Sequence, residues 1–131
     1  MQDLHNKIKV TSLHHVVNGA ASLVGSTVID TANFDSLEIV ASKNGNTSTS
    51  GTFIIDMESG SATATTAHTS ATTSEVLGTN VVTMVATTAN VTKIGYVGAD
   101  RFVSIAITPG AATGSLNVIA IQSNARKQPT S

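Results

Sequence analysis

The chain has 131 residues, a formal net charge of −1, no cysteine, 11% charged residues and 3% aromatic residues. A single domain of this length buries roughly two thirds of its unfolded surface, and 40% hydrophobic content is enough for a packed core. Near-neutral charge without Lys/Arg clusters argues against a nucleic-acid partner. The lack of cysteine excludes disulfides and cysteine-ligated zinc, and the apolar runs are too short for a transmembrane helix, so no membrane partner is expected.

The first ten residues, MQDLHNKIKV, lack an apolar h-region and read as an arm running into a first strand. In KIKVT (residues 7–11) Ile8 and Val10 alternate with Lys7 and Lys9. His14 and His15 follow as neighbours; in a strand they point to opposite faces, which prevents them from sharing one metal ion. LEIVA (37–41) puts Leu37, Ile39 and Ala41 on one face and ends at Asn44-Gly45, a turn signal because both residues tolerate positive φ. TFIIDME (52–58) sends Phe53, Ile55 and Met57 one way, and Asp56 and Glu58 the other. Two carboxylates on one face are what general acid–base chemistry requires, but outward polar alternation produces the same pattern. The tract 59–74 is of low complexity; a strand at 62–67 followed by a loop is expected, with at most one turn in TTSEVLG (72–78). VVTMVA (81–86), TKIGYV (92–97), RFVSIAIT (101–108) and SLNVIAIQ (115–122) read as strands. Pro109-Gly110 breaks the third of these, and AATG completes a hairpin connection to the fourth.

The stretch KIGYVGADRFVSIAIT (93–108) reads as another hairpin. Gly98 with Ala99-Asp100 makes its turn, Gly95 marks a bulge or a close backbone approach, and Arg101 pairs with Asp35 or Glu38 or reaches a partner. Altogether this is an all-β chain: an antiparallel β-sandwich or jelly-roll-like domain of about seven or eight short strands with little or no helix. Residues 1–10 form the arm and first strand, 11–122 the single domain, and 123–131 a polar tail. No G-x-S-x-G elbow, G-x-G-x-x-G loop or Walker lysine occurs, and Phe34, Phe53, Tyr96 and Phe102 are too dispersed for a base-stacking platform. No catalytic, cofactor or metal residue is assigned, and no enzyme is expected. Exposed strand edges with so few charges point to coverage by a partner, hence to a homo-oligomer or a larger assembly.

Three segments, IDTANFDSLEIV (29–40), EVLGT (75–79) and KIGYVGADRFVSIAIT (93–108), resemble a set of small tailed-bacteriophage virion proteins. Their pattern is an I-D-T-x-G-F-[DE]-S block, an L-G-T step and a K-x-G-Y-x-G-x-[KR]-R-[YF]-V segment, preceded by an I-K-V-V-like strand that NKIKVTSL (6–13) fits loosely. Asn33 stands where the pattern has glycine, and MESGSATAT follows the Phe53 strand in place of an acidic segment. The resemblance spans residues 6–122 and implies a head decoration, or cement, protein: a β-sandwich on the outer surface of the mature capsid, assembled in the host cytoplasm. Its implied partners are the major capsid protein and copies of itself, as dimer or trimer. The residues expected at such contacts are Leu4, His5, Lys7, Lys9, Tyr96 and Arg101. A tail-tube or neck subunit is the alternative. A carbohydrate-binding or adhesin module fits less well, because one tyrosine and no tryptophan leave few sugar-stacking platforms.

Overall fold

The computed structural model describes residues 4–17, 23–24, 27–43, 51–85, 88–110 and 115–125. Among them eleven strands form two antiparallel sheets: β1 (Ile8–Val17), β2 (Leu23–Val24), β3 (Ile29–Asp30), β4 (Phe34–Lys43), β5 (Thr52–Gly60), β6 (Thr69–Ser70), β7 (Val76–Leu77), β8 (Val81–Val85), β9 (Asn90–Tyr96), β10 (Phe102–Gly110) and β11 (Ser115–Ala125). One sheet has the order β1-β11-β4-β9-β7. The other runs β2-β10-β5-β6, with β3 also on β10 and β8 also on β5. The only helical pieces described are two 3-10 turns, His5–Lys7 and Thr65–Ala67.

The apolar rows of the sequence become the facing inner surfaces of the sandwich. Leu37, Ile39 and Ala41 on β4, Phe53, Ile55 and Met57 on β5, and Val103, Ile105 and Ile107 on β10 are all buried. Leu116, Val118 and Ala120 of β11, Ile94 of β9 and Met84 of β8 complete the layer. β-Branched side chains are stiff at χ1 and suit a pleated surface. With only Phe53 and Tyr96 as buried aromatics, the two adaptable methionines fill volume that rings supply elsewhere. Each fully buried Ile, Leu, Phe or Met contributes on the order of 2 kcal/mol of transfer free energy.

The connectivity differs from the expected hairpins. β9 pairs with β4 and β7, whereas β10 pairs with β2, β3 and β5. Residues 97–101 are therefore an arch from one sheet to the other. β10 and β11 likewise lie in different sheets, as do β4 and β5; the turns at 44–45 and 111–114 fall outside the described residues. Pro109 does not end β10, which pairs Pro109 with Phe53 and Gly110 with Thr52. Among the described residues β2 pairs with β10 at Ala106 and Ile107. β1 extends to Val17 and β11 to Ala125, across the expected boundaries at residues 10 and 122. The two strands pair with each other, with an irregularity between Ser12 and His14.

Segment 62–67 is not a strand. It bends through the 3-10 turn and returns His68 against the sheet, where Nε2 meets the Ala62 carbonyl at 2.8 Å and Nδ1 meets Ser104 Oγ at 2.7 Å. Gly60 makes room for this, because a Cβ there would stand 2.7 Å from His68 Cδ2. Segment 72–78 makes one turn, in which Glu75 N donates to Thr72 O at 2.9 Å. The Glu75 carboxylate accepts from both the amide (2.7 Å) and the hydroxyl (2.8 Å) of Thr72, closing a turn before β7. Gly78 then takes a positive φ of 102°.

Gly60→Ala is expected to destabilise the domain by about 1–3 kcal/mol through overpacking against His68. In a His68→Ala background the same change should cost much less, since contacting residues are coupled. Chemical denaturation of the two single variants and the double variant checks this; additive losses would contradict it.

Candidate partner-binding end of the sandwich

One end of the sandwich is built by two loops that lock onto each other. Asp30, at the end of β3, accepts the Ala32 amide (3.0 Å) on one carboxylate oxygen, and Phe34 N donates to Thr31 O at 3.0 Å to close the turn. From the arch, the Arg101 guanidinium donates to the same carboxylate from Nε (2.9 Å) and Nη2 (2.7 Å), a planar two-point match. The backbone amide and hydroxyl of Thr31 both donate to Arg101 O, each at 2.9 Å. Gln122, buried on β11, donates to the Asp30 carbonyl at 2.9 Å and joins the other sheet to this lock. Arg101 therefore pairs with Asp30, not with Asp35 or Glu38, and its guanidinium lies 5.0 Å from the Phe102 ring centroid.

The arch is held from inside by Tyr96. Its hydroxyl accepts the Asp100 amide at 3.1 Å, while Asp100 Oδ2 accepts Ser59 Oγ at 2.9 Å and Val97 N donates to Glu75 O at 2.8 Å. The chain passes so close over the phenol that a Cβ on Gly98 would lie 2.5–2.8 Å from its atoms. At Gly95 a Cβ would meet Glu38 Oε2 at 3.0 Å and Leu77 Cβ at 3.2 Å in an unbroken register, so this glycine serves close approach rather than a bulge. Between the 31–37 segment and the arch lies an open groove of about 570 Å³, walled by Phe34, Asp35, Leu37, Tyr96, Val97 and Arg101 among others.

Of the six residues expected at partner contacts, Tyr96 and Arg101 line this groove and Lys9 reaches its wall, while Leu4, His5 and Lys7 lie on the segment leading into β1. Leu4, His5, Lys7 and Lys9 are exposed, Leu4 at 66%. They lead into β1 where Ile8 pairs with Ser123, itself paired with Ser36 beside the groove. Lys9 Nζ stands 5.9 Å from the centroid of Phe34, which ties the arm to the groove wall. Arg101 is exposed at the rim, and Val97 offers apolar surface beside it. Tyr96 is buried, with only 7% of its surface exposed. It reaches the groove as a wall and its hydroxyl is taken by the arch, so its part in any contact is to hold the arch in shape. The Arg101 guanidinium, followed by the Ala32 amide, pulls the Asp30 carboxyl down to about 2.

Sequence reasoning missed Asp30, Thr31, Ser59 and Gln122 as members of this end. Asp30-Thr31-Ala32 does carry a legible signal, an Asx turn, but its partner lies 71 residues away and no local pattern marks that distance.

A second polar cluster covers part of the outer face of the β5–β10 sheet. Glu58 stands directly opposite Ser104 on one side and Ser70 on the other, while Asp56 Oδ1 accepts Ser70 Oγ at 2.7 Å. The shared face of Asp56 and Glu58 is thus as the alternation implied. His68 Nε2 faces a carbonyl, which only accepts, so Nε2 donates there, while Nδ1 shares a hydrogen bond with Ser104 Oγ. This serine–histidine pair resembles a nucleophile with its base, but Ser104 is fully buried and out of reach of a substrate. Glu58 Oε2 is buried without a hydrogen-bond partner, and burial, then the Asp56 charge, raise the carboxyl above its ordinary pKa.

His14 and His15 diverge as expected. His14 is half-buried and shifted down by burial, then by His15, whereas His15 is exposed in a small hollow with Ser42, Ser115 and Asn117. Among the described residues no group of three or more His, Asp or Glu could hold a metal ion, and no helix is long and apolar enough to cross a membrane. No protein-family model, curated protein or solved structure matches the chain.

Two predictions concern these carboxylates. Asp30 is more acidic folded than unfolded, so its contribution is full above about pH 4 and is lost as pH falls towards about 2. Asp30→Asn should cost about 1 kcal/mol at pH 7, a value discounted for solvent exposure. Wild type and variant should converge in thermal unfolding below about pH 3; parallel curves would contradict the lock. Glu58 has the opposite sign: its raised pKa means that stability falls as pH rises through its titration. Glu58→Gln is expected to leave stability at pH 7 unchanged or raise it by up to about 1 kcal/mol, with the gain vanishing in acid. Urea titrations at both pH values check this, and a loss at pH 7 would show that the charge is needed.

Proposed function

We propose that this chain is a virion structural protein, a capsid decoration protein that binds the outer surface of the mature head and stabilises it. The observation that carries the reading is the convergence of the exposed arm and the braced arch on one end of a stiff sandwich. That end sets apolar Val97 and cationic Arg101 on an open groove whose wall Lys9 reaches at Phe34, with exposed Leu4 and Lys7 on the arm that leads into β1. The resemblance of the arch segment and the 29–40 block to small phage virion proteins supplies the class of partner. The physical logic is mass action: a protein that binds only the expanded lattice stabilises that lattice. Repetition over a symmetric shell multiplies modest contacts by avidity. On this reading the major capsid protein is met by the arm and by the groove rim.

Co-sedimentation with purified expanded shells tests the reading. Deleting residues 1–6 should weaken attachment about tenfold or more, with little change in melting temperature, because Leu4, His5 and Asn6 are exposed. Unchanged attachment of the truncated protein would sink the arm's role. Failure of the full chain to bind any shell, with capture on tails instead, would replace the head assignment with a tail or neck one.

A further inference from the structure

The two flanks of the sandwich are protected very differently. On one flank the outer strand is β1, which carries Lys9, His14 and His15 and is irregular between Ser12 and His14. Charge and irregular pairing are the usual protections of an exposed strand edge. On the other flank lie β7, β8 and β9, and no charged residue occurs from Val76 through Thr92. Four of the seven large exposed hydrophobics of the described residues are here: Leu77, Val81, Val85 and Val91.

The open backbone of β8 specifies what can cover it. β8 pairs only with β5 among the described strands. Met57 N donates to Asn80 O, so the groups of Val82 and Met84 also turn towards β5 by alternation, leaving those of Val81 and Thr83 and the amide of Val85 pointing outward, while the Val85 carbonyl accepts the Thr88 amide at 3.4 Å. A row of unpaired N–H and C=O groups is complemented only by another extended strand. The side chains of Val81, Thr83 and Val85 are exposed on the outer face, whereas Met84 is buried. VVTMV is also nearly palindromic in size and polarity about Thr83. An antiparallel copy centred on Thr83 places each Val81 opposite a Val85 and each Thr83 opposite its mate, with no like charges to repel.

We propose that β8 pairs with β8 of a second copy of this chain about a two-fold axis through Thr83, joining two six-stranded sheets into one continuous sheet. The interface is isologous, as closed dimers require. It rests on the strand edge alone, so it is tested on the protein without any capsid, and its failure leaves the decoration reading standing.

Sedimentation of the full chain should show a monomer–dimer equilibrium at concentrations up to about 100 μM, the affinity range of a small interface. Thr83→Lys sets two cations face to face and should weaken the dimer about tenfold or more, whereas Val10→Lys on the β1 flank should not. Position 83 is exposed, and far-UV circular dichroism confirms that the lysine variant is folded. A folding-independent check uses the absence of native cysteine. In Thr83→Cys the paired Cα atoms would stand about 5.5 Å apart, within reach of a short bis-thiol reagent, and crosslinked dimer is expected. Val10→Cys should give none. A wild type that stays monomeric throughout, equal weakening by both lysines, or equal crosslinking at positions 10 and 83 would each overturn the pairing.

Discussion

Aliphatic rows on two sheets must meet across a gap with almost no aromatic bulk to fill it, and the rest of the structure answers to that constraint. Ile39, Ile55, Met57, Met84, Ile105 and Leu116 carry the contact, all of them nearly or wholly inaccessible. A core of moderate side chains tolerates little slack, because dispersion contacts fall off steeply with distance. The sheets therefore have to be held at a fixed separation at their ends, and polar links do so. Gln122 reaches from β11 to the Asp30 carbonyl, Ser59 reaches from β5 to Asp100, and the Asp30–Arg101 pair closes the loops between them. The end proposed to meet a partner is thus also a fastening of the fold. Its rigidity follows from the packing problem rather than from a separate design.

The same constraint explains the connectivity. Successive long strands from β8 to β11 alternate between the sheets, so each strand finds its hydrogen-bonded neighbours far away in sequence: β1 on β11, β11 on β4, β10 on β5. Such a topology closes long loops before it gains its contacts, which predicts slow folding relative to a hairpin-rich sheet. A central strand such as β10 is then protected by the completed layer around it.

The seven longer strands were legible because period-2 alternation depends only on nearest neighbours. Leu37-Ile39-Ala41 or Val103-Ile105-Ile107 can face one way only if one side of the strand is buried. Pairing was not legible. Gly98-Ala99-Asp100 is compatible with a hairpin turn and equally with an arch, and what decides is whether Tyr96 belongs to the β4 sheet, a fact carried by residues some sixty positions away. The tract 62–67 misled for a related reason. Thr and Ala alternation suits a strand, but the buried anchoring of His68 over Gly60 draws the chain into a turn, and nothing local marks His68 as an anchor. At the candidate site, the arm and the arch were each visible as unusual segments. That they share one end of the molecule, with Lys9 against Phe34, required the β1–β11–β4 register.

On the proposed function the arm end turns to the shell, and on the proposed pairing the uncharged β8 edge turns to its own kind. Low net charge suits dense arrays, since neighbouring copies repel little. The most direct test of that claim is stoichiometry: quantification of this chain against the major capsid protein in purified particles. The account predicts on the order of hundreds of copies per particle, in fixed ratio to the shell subunits, as symmetric repetition demands. A handful of copies, or none, would contradict it.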